Sequence, residues 1–196
     1  MTRLGIVIGG LFALGGAAFL SMTTLRTAPE PREDLRAAVV APPPSLVERV
    51  RGLAMPVLGH PRERLYDSWG DARSGGRGHR GIDLAAAEGT PVVAAVDGTV
   101  EKLFDSRLGG TTLYLRSADR KWTYYYAHLA GYASGVREGL RVRAGQVLGY
   151  VGDTGDAGKG NYHLHFSTSR MAPGQRWWQG EDVNPYPLLA DREGRR

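Results

Sequence analysis

Cysteine is absent from all 196 residues. Its absence excludes disulfide staples, Cys-rich zinc sites, cysteine nucleophiles and lipid attachment through sulfur. Any metal site must therefore be built from histidine, carboxylate and water. Two catalytic signatures are also missing: the H-E-x-x-H helix, which supplies a glutamate base, and the G-x-S-x-G nucleophile elbow. There is no internal repeat, and no long amphipathic helix follows the first 45 residues. Charge of one sign is not concentrated either. The chain carries 25 Lys and Arg against 20 Asp and Glu, a net charge of +5, and the nearest thing to a basic cluster is the tail Arg192–Arg196. A nucleic-acid binder gathers its basic residues on one face or arm, so no nucleic-acid partner is expected.

Glycine is abundant, at 28 residues, with 42% hydrophobic and 23% charged residues. That composition is globular and suits short strands joined by tight turns, since glycine weakens helix interiors. The length allows one domain plus extras. After Arg3 an uncharged run extends from Leu4 to Leu25, long enough for a spanning helix of roughly 20 residues. Its alternative is a cleaved export signal with a core from Leu4 to Leu14 and small residues at Gly16-Ala17-Ala18. The run continues past that cut, which favours an uncleaved anchor. Either way the rest of the chain leaves the cytoplasm. The expected layout is residues 1–25 as anchor or signal peptide, 26–45 as a proline-rich linker, 46–189 as the folded domain and 190–196 as a charged tail.

Within the domain the patterns are those of strands. Thr90–Val96, Asp97-Gly98 and Thr99–Phe104 read as a hairpin with a two-residue turn. Thr111–Arg116 and Lys121–Leu129 read as a second hairpin, followed by Val142–Val151 and Tyr162–Thr168. The expected fold class is mainly β and antiparallel.

Histidine is where the chemistry gathers. His163 and His165 sit at i and i+2 of an apolar strand and so project from one face. Paired imidazoles suit a metal site and penalise a hydrophobic core. His79 and Asp83 lie four residues apart, with Gly81 permitting a bend, and Ile82 and Leu84 flank the carboxylate. A buried carboxylate calls for a cation partner. His128 closes the run Tyr124-Tyr-Tyr-Ala-His128, where strict alternation puts it on the face of Tyr126 and Tyr124. His60 stands in a loop without a partner pattern and reads as a surface residue.

Taken in order, His79-x-x-x-Asp83, Tyr126-Ala-His128-Leu129 and His163-Leu-His165 resemble the lysostaphin-type (LytM-like) zinc endopeptidases of peptidoglycan. The likeness runs from about Pro56 to Leu189 and takes in Gly81–Ala85, Glu88–Gly98 and Val142–Gly149. The resemblance implies an antiparallel sandwich or hybrid-barrel domain, and zinc held by His79, Asp83 and His165. It makes His128 and His163 the non-ligating catalytic pair. It further implies peptidoglycan peptides as substrate; with the apolar run as an anchor the domain is expected on the inner membrane facing the periplasm, and periplasmic or secreted if that run is cleaved. Three protein ligands leave a fourth zinc position for water, and the missing glutamate base leaves proton transfer and oxyanion stabilisation to two histidines. His163 takes the base role and His128 the oxyanion; the sequence permits the reverse.

Rival readings fare worse. Gly76-Arg-Gly-His-Arg-Gly81 satisfies G-x-G-x-x-G without the strand before it or the helix after it. A biotinyl-type carrier resembles Glu88–Val100 with Val142–Gly152, but the Asp97-Gly98 tip lacks the lysine such a module needs. A non-catalytic regulator of another wall hydrolase would typically have lost zinc ligands, and none is missing, though the loop 152–161 or the spacer could cover an intact site.

Overall fold

The structure, a computed structural model, describes residues 53–190. The apolar run, the proline-rich spacer and the tail 191–196 lie outside the described residues. Among the described residues no helix is long and apolar enough to cross a membrane.

Among the described residues nine strands form one sheet: β1 Ile82–Ala85, β2 Pro91–Val93, β3 Gly98–Ser106, β4 Gly110–Ser117, β5 Trp122–Tyr132, β6 Arg141–Val142, β7 Val147–Val151, β8 His163–Arg170 and β9 Glu181–Val183. A single helical turn, α1 Tyr186–Ala190, closes the described chain. Every ladder is antiparallel, in keeping with the mainly β expectation. The principal path is β1-β8-β5-β4-β3-β6, with β7 branching to β2 and β9 adding to β8. The expected sandwich or hybrid barrel thus takes the form of an open, branched sheet. The branch follows from β5, which pairs with β8 over Trp122–Ala127 and with β7 over Leu129–Tyr132. Register shifts at His128 and near Gly131 turn its second half away from β8.

Period-two patterning decides which face each strand buries. Leu164 and Phe166 of β8, Tyr126 of β5, Leu113 and Leu115 of β4 and Ile82 of β1 are all fully buried in one cluster. Burying a side chain of this size stabilises by roughly 1.5–3 kcal/mol. Tyr126 keeps a polar end satisfied there by accepting the Ala95 N–H at 2.9 Å. The opposite face carries His163, His165, Ser167 and Ser169 from β8, and Thr123, Tyr125 and Ala127 from β5. One strand therefore packs the core and furnishes the cleft.

Two expectations need correction. The strands β2 and β3 do not form a hairpin: β2 pairs with β7, and β3 with β4 and β6. Gly98 serves close approach rather than a two-residue turn. A Cβ there would stand 2.3 Å from the Arg116 carbonyl oxygen, so only glycine lets β3 meet β4. The Asp97 carboxylate accepts the Ala144 N–H at 2.8 Å and fixes the corner instead. The second hairpin, β4–β5, forms as read.

The other correction concerns His128, which does not share a face with Tyr126 and Tyr124. Leu113 pairs with Tyr126 and Thr111 with Leu129, so Ala127 and His128 together oppose Thr112. This is a bulge. His128 adopts φ 60°, a conformation that costs a non-glycine residue about 1–2 kcal/mol, and its N–H donates to the Gly109 carbonyl at 2.8 Å. The extra residue swings the imidazole off the core face and into the cleft.

Candidate metal centre

The β1–β8 register places Asp83 directly opposite His165, and β8–β5 places His165 opposite Ala127. Cross-strand partners in antiparallel ladders share a face, so Asp83 and His165 project together. His79 reaches them from the segment entering β1. His79, Asp83 and His165 each offer one donor atom, and these atoms lie within 4.8 Å of one another. His79 Nε2 stands 2.8 Å from His165 Nδ1, and Asp83 Oδ1 stands 3.2 Å from each of those nitrogens.

Main-chain carbonyls set the histidine tautomers. The Nδ1 of His79 meets the Ser68 carbonyl, that of His128 the Thr154 carbonyl and that of His163 the Asn161 carbonyl, each at 2.8 Å. A carbonyl can only accept, so the Nδ1 atoms of His128 and His163 carry the proton and leave Nε2 with a lone pair; Ser68 favours the same state of His79, whose Nδ1 also meets the donor Arg73 Nη2 at 2.8 Å. His165 instead presents Nδ1 to the cluster. Ser68 also fixes Asp83, accepting its backbone N–H on Oγ at 3.2 Å. Such outer hydrogen bonds orient metal-ligating histidines.

Two ring nitrogens and a carboxylate oxygen facing one another leave lone pairs that a shared cation would satisfy. Nitrogen and oxygen donors from three side chains are what an open zinc site uses. The donor set therefore fits that metal. Electrostatics agree. Burial pushes the Asp83 carboxyl up, but the two imidazoles facing it, His165 first and then His79, hold it well below the usual carboxylate range. Burial lowers His165, and Asp83 opposes that shift. Burial likewise lowers His128, against the Thr154 carbonyl and with His163.

His128 and His163 form a second pair beside the first, with ring centroids 4.8 Å apart. His163 Nε2 lies 3.8 Å from Asp83 Oδ1. Both open into a cleft of about 890 Å³. Along its wall Tyr125 meets His165 edge-on at 5.8 Å, and Tyr114 packs on Trp177 at 4.5 Å. The loop 152–161 borders the cleft through Asp156, Ala157 and Asn161. Its Thr154 buttresses His128, with Oγ1 donating to the Leu129 carbonyl at 2.9 Å. His60 is half-buried in the loop before Arg62 and takes no part in the cluster.

Sequence reading missed Ser68, Thr154, Asn161 and Arg73. The first three orient the histidines through main-chain carbonyls, which leave no residue-type signature. Gly81 was read as permitting a bend, yet a Cβ there would stand 2.6 Å from the Phe166 carbonyl oxygen and 2.8 Å from His165 Cε1. Its bareness makes room for the His165 ring.

A family model described as "Peptidase family M23" matches residues 77–185. Among curated proteins, an L-Ala–D-Glu endopeptidase of Bacillus subtilis (strain 168) is 37% identical over 129 residues, 62% of this chain and 38% of that protein. A peptidoglycan DD-endopeptidase of Vibrio cholerae is 37% identical over 90 residues, 46% of this chain and 20% of that protein. The chain thus spans well under half the length of either relative. Among solved structures, the catalytic domain of the antimicrobial peptidase lysostaphin from Staphylococcus simulans superposes with a TM-score of 0.55 at 30% identity. That match covers 65% of this chain and 92% of that one.

Proposed function

We infer the function from this premise: the chain belongs to peptidase family M23. It is an endopeptidase that cuts peptide bonds of bacterial peptidoglycan, with zinc held by His79, Asp83 and His165. The observation that carries the reading is the convergence of those three donor atoms within 4.8 Å, on a cleft they share with two further histidines. The curated relatives described above are named for peptide cleavage, which supports the same substrate class.

When bound, zinc supplies Lewis-acid polarisation of the scissile carbonyl and lowers the pKa of water to about 7. The protein side chains supply proton traffic. His163, its Nδ1–H committed to the Asn161 carbonyl, offers a bare Nε2 beside Asp83 and takes the proton from the attacking water. His128, held by Thr154 through Nδ1, opens its Nε2 on the same space. It steadies the developing oxyanion once Nε2 is protonated. The wall of Tyr125, Tyr114 and Trp177 lines the approach of the peptide.

Of the bonds for which the relatives are named, L-Ala–D-Glu in one and a D,D bond in the other, the proposed target here is the D,D cross-link between stem peptides. The uncharged run Leu4–Leu25 holds the domain at the inner membrane, and the proline-rich linker spaces it into the periplasm. Incubating the purified 196-residue chain with peptidoglycan and identifying new termini by mass spectrometry tests the activity and the bond, and fractionating cell membranes tests the location. New D,D termini support the assignment, and another set of termini corrects the bond while keeping the enzyme. An undigested sacculus overturns the enzyme reading in favour of a regulator.

A further inference from the structure

Arg73 stands beside the candidate metal centre without belonging to any motif. Its Nη2 lies 2.5 Å from Asp83 Oδ2 and 2.8 Å from His79 Nδ1. Arg73 can only donate and the Ser68 carbonyl can only accept, so His79 Nδ1 serves one of them at a time; in the tautomer that leaves Nε2 free for a metal, its proton goes to Ser68. The guanidinium donor is therefore committed to Asp83. We propose that Arg73 is a positioning residue: by holding Asp83 Oδ2 it turns Oδ1, the oxygen 3.2 Å from both His79 Nε2 and His165 Nδ1, toward the metal. The inference rests on the zinc reading above.

Three observations carry it. The two carboxylate oxygens have separate partners, Oδ1 facing imidazoles and Oδ2 facing the cation. A carboxylate free to rotate would present either oxygen or both, so a fixed Oδ2 selects one-oxygen binding. The guanidinium is also delivered by a closed loop. The Arg73 N–H donates to the Arg77 carbonyl at 2.8 Å, and Ala72 bridges Gly78, one residue before His79. The position of Arg73 is thus tied to that of the ligand His79. Finally, the pair contributes little to the fold. Arg73 is 38% exposed and Asp83 23% exposed, and ion pairs in such settings stabilise proteins only marginally. Orientation is the effect left for it.

A competing account makes the guanidinium a rival cation that weakens metal binding by like-charge repulsion. The two accounts predict opposite signs. The measurement is the zinc dissociation constant of the whole chain, by competition with a chromophoric chelator, for wild type, Arg73→Ala, Arg73→Lys and Arg73→Gln. Outer partners of metal ligands are typically worth about 10–100-fold in affinity. Arg73→Ala and Arg73→Gln should weaken zinc binding by about that factor, with Arg73→Lys in between, while the melting temperature of the metal-free protein stays put. In an Asp83→Ala background, removing Arg73 should change the residual zinc affinity less than about threefold, because the carboxylate it holds has gone. Unchanged or tighter zinc binding in Arg73→Gln overturns the proposal. A wild-type chain that binds no zinc overturns the parent reading instead. If Arg73→Ala fails to fold, the lysine and glutamine variants decide.

Discussion

Asp83 and His165, 82 residues apart in sequence, are direct cross-strand partners in the β1–β8 ladder, with Oδ1 3.2 Å from Nδ1. Their meeting is a matter of register: a one-residue slip of β1 against β8 would send one of them to the core face. The site is therefore only as exact as the packing that pins this register, and that packing includes a bare glycine.

Gly81→Ala puts a methyl group 2.6 Å from the Phe166 carbonyl oxygen and 2.8 Å from the His165 ring. Backbone cannot yield cheaply there, so the ring must. Overpacking of this kind costs about 1–3 kcal/mol. Zinc titration of the variant should show affinity at least tenfold weaker, together with a lower melting temperature. Wild-type affinity would mean that His165 has more freedom than this contact allows.

His128→Ala should leave zinc in place and remove activity. The residue lies outside the three-donor cluster, and its Nε2 opens into the cleft. Positioned acid–base groups contribute about 10²–10⁴-fold, so peptidoglycan solubilisation should fall by that range at full zinc occupancy. The alanine would also have to keep the φ 60° of the bulge, so His128→Asn, which tolerates that conformation, is the companion variant. Parallel loss of zinc in both would place His128 among the ligands.

Tyr126→Phe probes the core rather than the site. It removes the oxygen that accepts the Ala95 N–H, leaving a buried donor unpaired at a cost of about 1–3 kcal/mol. Denaturant unfolding should register that loss with zinc affinity unaltered. No change in the midpoint would contradict the assigned bond.

Alkaline stability follows from the same tyrosines. Burial pushes Tyr114 and Tyr124 up to about 12, and Tyr125 and Tyr126 higher still, from an ordinary 10.0. A tyrosine whose folded pKa is raised stabilises fully below its unfolded value and loses that contribution as pH climbs toward the folded one. Unfolding midpoints should therefore hold to about pH 10 and then fall steeply through pH 12. A flat profile across that range would mean these phenols ionise freely in the folded chain.

Much of this site was legible in the sequence, and the reasons are specific. The i, i+2 spacing of His163 and His165 survives intact because β8 is regular through them, with Leu164 and Phe166 packed beneath. His128 defeated the same rule because its bulge inserts one residue, which alternation cannot reveal. Asp97-Gly98 carried a strong turn signal, yet Gly98 is bare for close contact with Arg116, and a contact between positions 18 apart has no local signature. The open branching of the sheet depends on register shifts in β5 for the same reason. Arg73 sits in a glycine-rich run where nothing but a basic residue ahead of His79 hints at its contact with Asp83.

Elemental analysis of the purified 196-residue chain, wild type beside His165→Ala, tests the central claim most directly. The account predicts one zinc per wild-type chain, removed by a chelator and restored by added zinc, with occupancy sharply reduced in His165→Ala. A wild-type chain that holds no zinc and takes none up, or a His165→Ala variant that keeps its full complement, would contradict it.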